Sequence, residues 1–453
     1  MSAAAAEKLP ASPDPETRPT APATPTPAEM GFFRTTLAPL FLVVTCPPAI
    51  VAVWIAAVHL DGSILRLFSA EGWAALVAHW PWPSLRAASI LAIFAVFQAL
   101  LLLLLPGKAI PGPVTAKGNV PMYKENGPLA YVLTHAAFLG ASLGLGLFSP
   151  GLLYDAFGEI LITSSLFALL FCAFLTWKGI HRPSSSDSGS TGNLIFDYYW
   201  GTGLHPTVFG MSLKQLINCR ISMTGWTVLC VSYAAKQWQL DGSVSNSMLV
   251  AVALQWIYIF KFFVWERGYF ASLDIMHDRF GFYICWGVLA WVPGLYTLST
   301  LYLVRHPVAW SPVAAAAIFV AGCLSIWANY AADRQRQRVR DTGGKTTVWG
   351  RPPVLVKARY TTGDGKQRES LLLASGYWGV AAHFHYVFEI GLAFFWTVAA
   401  GFTHVLPYFY VIFLTILLLD RARRDDLRCA AKYGADWNEY RKIVRWRVLP
   451  GLY

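Results

Sequence analysis

Long apolar segments separated by short polar loops make up most of this 453-residue chain. Each segment is long enough to cross a hydrocarbon core about 30 Å thick, which takes roughly 20 helical residues. The pattern predicts spans near 37–60, 85–106, 127–148, 157–177, 220–237, 247–264, 282–303 and 311–331. A final apolar block, 387–420, is long enough for two more, with Pro407 near the bend. The predicted fold class is all-α, a polytopic membrane protein with about ten transmembrane helices.

Composition and charge agree with a membrane protein. Hydrophobic residues make up 55% of the chain and charged residues 13%, whereas soluble domains carry about 25% charged residues. The formal net charge is +11, but the cations gather in alternate loops and in the segments 332–386 and 420–453. That is the positive-inside distribution. It predicts two cytoplasmic termini in a lipid bilayer, and it argues against a nucleic-acid partner.

The first 35 residues and the cysteines carry no predicted chemistry. Ala, Pro and Thr dominate the start of the chain, so residues 1–35 are predicted to be a disordered cytoplasmic tail. Most of the seven cysteines lie inside apolar spans, where a thiol is usually a small buried hydrophobe. No CxxC or HExxH spacing occurs, and no metal site is predicted.

Two basic segments are candidates for binding an anion. The segments 332–386 and 420–453 interleave Arg and Lys with Tyr and Trp, and the charge pattern places both on one side of the membrane. Together they would form a clamp for an anion such as a nucleotide phosphate. Their composition fits contact with anionic lipids equally well.

The stretch GYWGVAAHFHYVFEI, residues 376–390, places titratable side chains at the start of an apolar span. Ionisable groups within a membrane are costly and usually functional. Helical spacing puts Tyr386 and Glu389 on one face and lets His385 meet Glu389. Glu389 and Tyr386 are therefore the first candidates for a catalytic proton donor.

A second group of titratable residues lies in SLDIMHDRFGFY, which contains Asp274 and His277. These two residues are the reserve candidates for the proton donor. The same charges would also fit a cytoplasmic turn with no catalytic role.

Three segments resemble signatures of the sterol reductase family, membrane enzymes that reduce ring double bonds in sterol biosynthesis. The tail LLLDRARRDDLRCAAKYGADW resembles the C-terminal signature of the family. The stretch 376–390 resembles the element GxWGxxRHxxY, and NYAADRQRQRVRDTGGK resembles the basic element that precedes it. Within the family, SYAAKQ, LDIMHDRFGFY and LPGLY are most similar to the plant-type Δ7-sterol reductase branch.

The resemblance implies a function and a division of the chain. The implied reaction is NADPH-dependent reduction of the C7–C8 double bond of Δ5,7-sterols, by protonation and hydride transfer. The implied location is the endoplasmic reticulum membrane, in association with other enzymes of sterol biosynthesis. Transmembrane helices with a sterol-facing cavity would occupy 36–331, and a cofactor-binding part facing the cytoplasm would occupy 332–453. The residues carried over as cofactor contacts are Arg336, Arg340, Leu373, Trp378, His385, Tyr386, Asp425, Cys429, Lys432, Tyr433 and Tyr440.

One departure from the family pattern keeps alternatives open. Ala382 stands where the family has an Arg immediately before the motif His. If that Arg contacts the cofactor, its loss would weaken NADPH binding by roughly tenfold to a hundredfold. The alternatives are a C14-sterol reductase and a catalytically impaired sterol-binding homologue. A membrane methyltransferase of the isoprenylcysteine type and a transporter fit less well, since the upstream match and the lack of internal repeats argue against them.

Overall fold

The computed structural model describes residues 31–115, 117–361 and 365–453, and most of them are helical. Most of the predicted tail, residues 1–35, therefore lies outside the described residues, and the first helix begins within its last few positions. The principal helices are α1 (Phe33–His59), α2 (Ala70–His79), α3 (Leu85–Leu104), α4 (Gly127–Leu139), α5 (Phe157–His181), α6 (Leu194–Trp200), α7 (Thr224–Asp241), α8 (Asn246–Val264), α9 (Phe282–Leu303), α10 (Pro312–Asp341), α11 (His385–Val398), α12 (Phe409–Tyr433) and α13 (Ala435–Ile443).

Six helices among the described residues are long and apolar enough to cross a membrane: α1, α3, α5, α8, α9 and α10. Each coincides with one of the predicted spans. The other predicted positions are helical as well, but their helices are shorter or more polar. A π-helical segment, Gln215–Met223, leads into α7, and the apolar block 387–420 is divided between α11 and α12. The count of ten spans stays a prediction.

Three small antiparallel hairpins correct the all-α expectation. Their strands are β1 (Lys108–Pro111) with β2 (Met122–Glu125), β3 (Thr207–Val208) with β4 (Met211–Ser212), and β5 (Leu355–Thr361) with β6 (Gln367–Leu373). Period-2 alternation explains the last pair, because Val356 and Ala358 are buried while Lys357 and Arg359 are exposed. The basic composition of 332–386 hid this alternation from the sequence analysis.

Helix α10 links the apolar bundle to the basic C-terminal part. Its first turn is capped by Ser311, whose hydroxyl accepts from the backbone N–H of Ala314. The helix then continues without a break to Asp341, so the predicted boundary at 331/332 falls inside it. It packs along α8 and α11. The cations Arg336 and Arg340 near its end, together with Lys432 near the end of α12, mark what we call the basic end of the bundle.

The two largest apolar clusters among the described residues lie in different parts of the fold. The larger cluster runs through the transmembrane helices and contains the fully buried side chains Trp226 and Trp396. The smaller one, called the C-terminal cluster, joins the β5–β6 hairpin to α13. Its buried members are Val356, Ala358, Leu372, Ala374, Ala382, Trp437, Tyr440 and Val444.

A buried ion pair joins the π-helical segment to the end of α8. Arg220 and Glu266 have completely buried side chains, and Arg220 Nη2 lies 3.0 Å from Glu266 Oε2. Arg220 also donates to Asn126 Oδ1 at 2.9 Å, and the backbone N–H of Gly127 donates to Glu266 at 3.2 Å. A charge pair without water is stable only with such additional hydrogen bonds. Glu266 is therefore a structural group at the base of α4.

Gly376 is required where the chain turns back onto α10. Its φ is +63°, and a Cβ atom there would lie 2.2 Å from Gln335 Oε1. The same oxygen accepts from the backbone N–H of Tyr377 at 3.0 Å. This turn places Trp378 against α10, and the chain then enters α11 at His385.

Candidate active site

A carboxylate and a phenol meet between α8 and α11. The hydroxyl of Tyr258 donates a hydrogen bond to Glu389 Oε1. Aromatic rings surround the pair: the Tyr258 ring centroid lies 5.3 Å from that of Trp396 and 6.1 Å from that of Trp226. Tyr258 and Glu389 keep partly accessible surface among the packed helices. The arrangement is an acid pair inside an aromatic lining, suited to holding one proton away from bulk water.

A lysine one turn along α8 ties this acid pair to α10. Lys261 Nζ lies 2.6 Å from Asn329 Oδ1 and 5.0 Å from the ring centroid of Tyr258. The amide nitrogen of Asn329, which is buried, donates in turn to the backbone carbonyl of His385 at 3.2 Å. These contacts fix the position of the start of α11, the helix that carries Glu389, relative to α8 and α10.

A stack of aromatic and cationic side chains continues from the acid pair toward the basic end. The guanidinium carbon of Arg336 lies 3.9 Å from the ring centroid of Trp378, whose indole N–H donates to the Ala332 carbonyl at 2.8 Å. The Trp378 ring lies 4.7 Å from the ring of His385, which lies 4.4 Å from that of Tyr386. His385 Nδ1 is buried and has no hydrogen-bond partner among the described residues. A planar ligand with a hydrogen-bonding edge would fit beside such a stack.

His383 and Asp425 connect this stack to α12. Their Nε2 and Oδ2 atoms are 3.5 Å apart, and the His383 ring stacks on Tyr386 with centroids 5.1 Å apart. Burial lowers the pKa of His383 to about 4, so its imidazole is neutral at neutral pH. Burial opposes ionisation of Asp425, yet His383 and the guanidinium of Arg428 hold its pKa below the usual value. Asp425 is thus an anion that accepts a hydrogen bond from Arg428, while the neutral imidazole of His383 contacts its other carboxylate oxygen.

The outer part of the basic end presents cations on an aromatic support. Lys432 Nζ lies 3.8 Å from the ring centroid of Tyr360 and 5.0 Å from that of Tyr433. Cys429 and Tyr433 are half-buried and pack on the C-terminal cluster. Arg340, at the end of α10, is exposed. Arg336 pairs with Asp333, but among the described residues Arg340 and Lys432 have no carboxylate within ion-pair distance, which suits an anionic ligand.

Two other residues carried over as cofactor contacts lie behind Trp378. Leu373 is buried against Val339, Val348 and Trp378. Tyr440 is buried too, and its hydroxyl donates to the Trp378 carbonyl at 3.4 Å. Both side chains fix the position of the indole.

Asp274 and His277, the reserve candidates for the proton donor, have different surroundings in the structure. Asp274 forms an ion pair with Arg421 of α12, with 2.5 Å between Oδ1 and Nη2. The buried Lys214 donates to the Asp274 carbonyl at 3.0 Å and fixes this turn. His277 is exposed and lies away from the acid pair, beside His205 in a small surface pocket. Asp274 therefore holds α12 in place through its ion pair with Arg421. His277 is not among the residues that surround Glu389.

Comparison with known proteins identifies the chain. The model of the family described as "Ergosterol biosynthesis ERG4/ERG24 family" matches residues 55–453. The chain is 50% identical over 418 residues to 7-dehydrocholesterol reductase of Arabidopsis thaliana, covering 91% of this chain and 96% of that protein. The chain belongs to the sterol reductase family. The resemblance drawn from the three sequence signatures is thereby confirmed.

Other relatives of this sterol reductase are named for two different activities. A 7-dehydrocholesterol reductase of Xenopus laevis is 36% identical over 410 residues, covering 87% of this chain and 86% of that protein. A Delta(14)-sterol reductase of Methylotuvimicrobium alcaliphilum is 34% identical over 418 residues, covering 91% and 94%. Family membership therefore establishes an oxidoreductase of sterols in a membrane.

The position where this sterol reductase departs from the family pattern is well enclosed. Ala382 is buried in the C-terminal cluster, and its backbone N–H donates to the Trp446 carbonyl at 3.0 Å. The next N–H, of His383, donates to the Arg447 carbonyl at 2.7 Å. Hydrogen bonds to the C-terminal segment thus fix the backbone at Ala382 and His383.

Sequence reasoning missed one residue of the acid pair in this sterol reductase. Tyr258 belongs to a predicted span, and its partner Glu389 is 131 residues further along the chain. The signal that points to it is local: Tyr258 and Lys261 are three residues apart in QWIYIFKFF, so both lie on one face of an apolar helix.

Proposed function

We propose that this sterol reductase reduces the C7–C8 double bond of a Δ5,7-sterol with NADPH as the reductant. The observation that carries the proposal is the 50% identity with 7-dehydrocholesterol reductase of Arabidopsis thaliana across 91% of the chain. The relative named for Δ14-sterols is 34% identical over the same share of the chain. The relative with the higher identity over the same share of the chain is the better guide to the double bond that is reduced.

The proton in this reaction is assigned to the pair formed by Tyr258 and Glu389. Glu389 holds a proton that Tyr258 shares through their hydrogen bond, and Tyr386 lies one turn away on α11. Transfer of that proton to the diene leaves an allylic cation on the sterol, and addition of hydride to the C7–C8 unit completes the reduction. The aromatic lining excludes water that would capture the cation. The acid pair regains its proton from solvent after the product leaves.

The residues of the basic end fit a dinucleotide. Arg336, Arg340 and Lys432 supply charge for phosphates, Tyr433 offers a half-buried ring, and Trp378 supports the guanidinium of Arg336. The buried Nδ1 of His385, without a partner in the described part of the chain, is a further atom that a bound ligand group would satisfy. Bound NADPH would supply the hydride. The remaining assignments, Asp425, Cys429, Leu373 and Tyr440, are carried over from the family and are consistent with these positions.

The location proposed for the protein is the endoplasmic reticulum membrane, with both termini in the cytoplasm. The basic segments after α10 and α12 support this orientation, because Lys and Arg favour the cytoplasmic side. The acid pair would then lie between a soluble cofactor on the cytoplasmic side and a sterol dissolved in the bilayer.

The proposal is tested by turnover of 7-dehydrocholesterol. Purified protein in detergent is incubated with NADPH and 7-dehydrocholesterol, and sterol products are separated by gas chromatography and mass spectrometry. We expect cholesterol together with an equal amount of oxidised cofactor. A Δ8,14-sterol in a parallel reaction is the control. Conversion of the Δ14 substrate alone would make the protein a C14-sterol reductase, and conversion of neither would favour the impaired homologue.

Restoring the family residue should tighten cofactor binding. In Ala382→Arg, a guanidinium would be introduced in the C-terminal cluster, one residue before His383, whose imidazole contacts Asp425. One charge-assisted hydrogen bond would lower the dissociation constant of NADPH by about tenfold to a hundredfold. Titration calorimetry measures this constant. Ala382→Met is the matched control, because it adds a similar length without charge. Equal effects of Arg and Met on binding would show that the site has repacked around Ala382.

Cofactor affinity should fall as the pH rises through about 8. Burial and the nearby Arg428 lower the pKa of Lys432 to about 8, so its ammonium is charged below that pH and neutral above it. The neighbouring thiol of Cys429 stays protonated there, since burial raises its pKa to about 12. We expect the dissociation constant of NADPH to rise by up to about tenfold per pH unit above 8. In Lys432→Arg, the dissociation constant of NADPH should stay constant to about pH 9.5, since a guanidinium stays charged there. If that variant shows the same pH dependence as the native protein, Lys432 is not the group responsible.

A further inference from the structure

Arg428 is the cation at the basic end whose role the proposed function leaves open. One of its terminal nitrogens, Nη2, donates to Asp425, three residues earlier on α12. The other, Nη1, is enclosed and has no hydrogen-bond partner among the described residues. A guanidinium with an unused donor in a packed site is costly unless a ligand supplies the acceptor.

Arg428 does not stand alone. Lys432 follows it by one helical turn, and its ammonium interacts electrostatically with both Arg428 and Arg340. For Lys432 and Arg340, no carboxylate lies within ion-pair distance in the described part of the chain, and Asp425 is shared between Arg428 and His383. Three clustered cations with one shared carboxylate form a site for an anion of more than one negative charge.

The position of these cations along α12 indicates which part of the cofactor they would meet. Arg421, on the same helix, pairs with Asp274 and faces Tyr386, which adjoins the acid pair. Arg428 lies seven residues and Lys432 eleven residues further out, which is about 10 Å and 16 Å along the helix axis. An extended dinucleotide bound with its nicotinamide beside Tyr386 would reach this outer level with its adenosine end.

We propose that Arg428, together with Lys432, forms the subsite that binds the 2′-phosphate of the cofactor and so selects NADPH over NADH. The inference rests on the proposed NADPH-dependent function. A 2′-phosphate is dianionic above its second ionisation and offers three acceptor oxygens, which match the unused donor of Arg428 and the ammonium of Lys432. The ring of Tyr360 beneath Lys432 keeps that ammonium in place from the opposite side.

The test compares nucleotides that differ only in this phosphate. Dissociation constants of NADPH, NADH, 2′,5′-ADP and 5′-AMP are measured by titration calorimetry on the full chain in detergent. In Arg428→Gln, the constants for NADPH and 2′,5′-ADP should rise about tenfold to a hundredfold, while those for NADH and 5′-AMP stay within about twofold. Lys432→Gln should give the same pattern. Arg423→Gln is the matched control, since Arg423 is an exposed cation on the same helix.

The pattern of losses separates the alternatives. Equal weakening of NADPH and NADH in Arg428→Gln would mean that Arg428 acts only by holding Asp425, and the 2′-phosphate assignment would be overturned. The same holds if Arg428→Gln keeps the preference for NADPH. If the native protein binds none of the four nucleotides, the proposed cofactor fails and this subsite fails with it. Thermal unfolding in the same detergent shows that each variant is folded.

Discussion

Replacement of Glu389 by Gln should lower the turnover number for sterol reduction by about a hundredfold to ten-thousandfold. Positioned general acids contribute rate factors of that size. The amide keeps the shape of the side chain and its hydrogen bond to Tyr258, but it cannot release a proton to the sterol. Stopped-assay product formation from 7-dehydrocholesterol measures the loss. NADPH binding should be unchanged within about threefold, because the proposed cofactor contacts do not include Glu389.

Variants of the neighbouring phenols show which groups share the proton. Tyr258→Phe should lower turnover to a similar extent, and the double variant should be little worse than either single one, because the two groups act as a unit. Tyr386→Phe shows whether Tyr386 relays a proton or orients the cofactor. Only loss of the orienting role would raise the Michaelis constant for NADPH. Tyr408→Phe is the control, as its hydroxyl serves only the Gly401 carbonyl. Full turnover in Glu389→Gln and Tyr258→Phe with cofactor still bound would rule out the assigned acid pair.

Replacement of Glu266 by Met should destabilise the protein by about 3–5 kcal/mol, the usual effect of leaving one buried charge unpaired. Arg220 would keep its positive charge in a completely buried site, with the amide of Asn126 and the Lys124 carbonyl at 3.4 Å as its acceptors among the described residues. The double variant Arg220→Met/Glu266→Met removes both charges and should recover most of the loss. Denaturation in detergent, followed by tryptophan fluorescence, measures the free energy of unfolding.

The matched control for the buried pair is Glu159→Gln. Glu159 pairs with Arg86, whose side chain is 50% exposed. A pair of that exposure contributes less than about 1 kcal/mol to stability. Equal losses in Glu266→Met and Glu159→Gln would mean that burial does not set the strength of the Arg220–Glu266 contact.

The sequence predicted those parts of the fold and site that depend on neighbouring residues. Apolar length placed the six candidate spans, and helical spacing placed Tyr386 and Glu389 on one face of α11. Motifs predicted the family. The hairpin of β5 and β6 was missed, because cations on the outer face of these strands obscured the short alternation of Val356 and Ala358.

Pairings between distant residues could not be predicted in this way. Asp274 meets Arg421 across 147 positions, and Tyr258 meets Glu389 across 131. The sequence marked Glu266 as unusual, but its partner Arg220 lies in a π-helical segment whose residues do not follow the spacing used to read α-helices. Tertiary packing, rather than local preference, decides each of these contacts.

The two hydrogen bonds from the 382–383 backbone to the C-terminal segment have a genetic consequence. The N–H groups of Ala382 and His383 donate to the Trp446 and Arg447 carbonyls, and His383 lies in turn against Asp425 and Tyr386. A nonsense codon at position 446 would delete Trp446 and Arg447, which lie more than 50 positions from Glu389 in the sequence. It would nonetheless free the backbone that carries His383, so such an allele should behave as a strong loss of function.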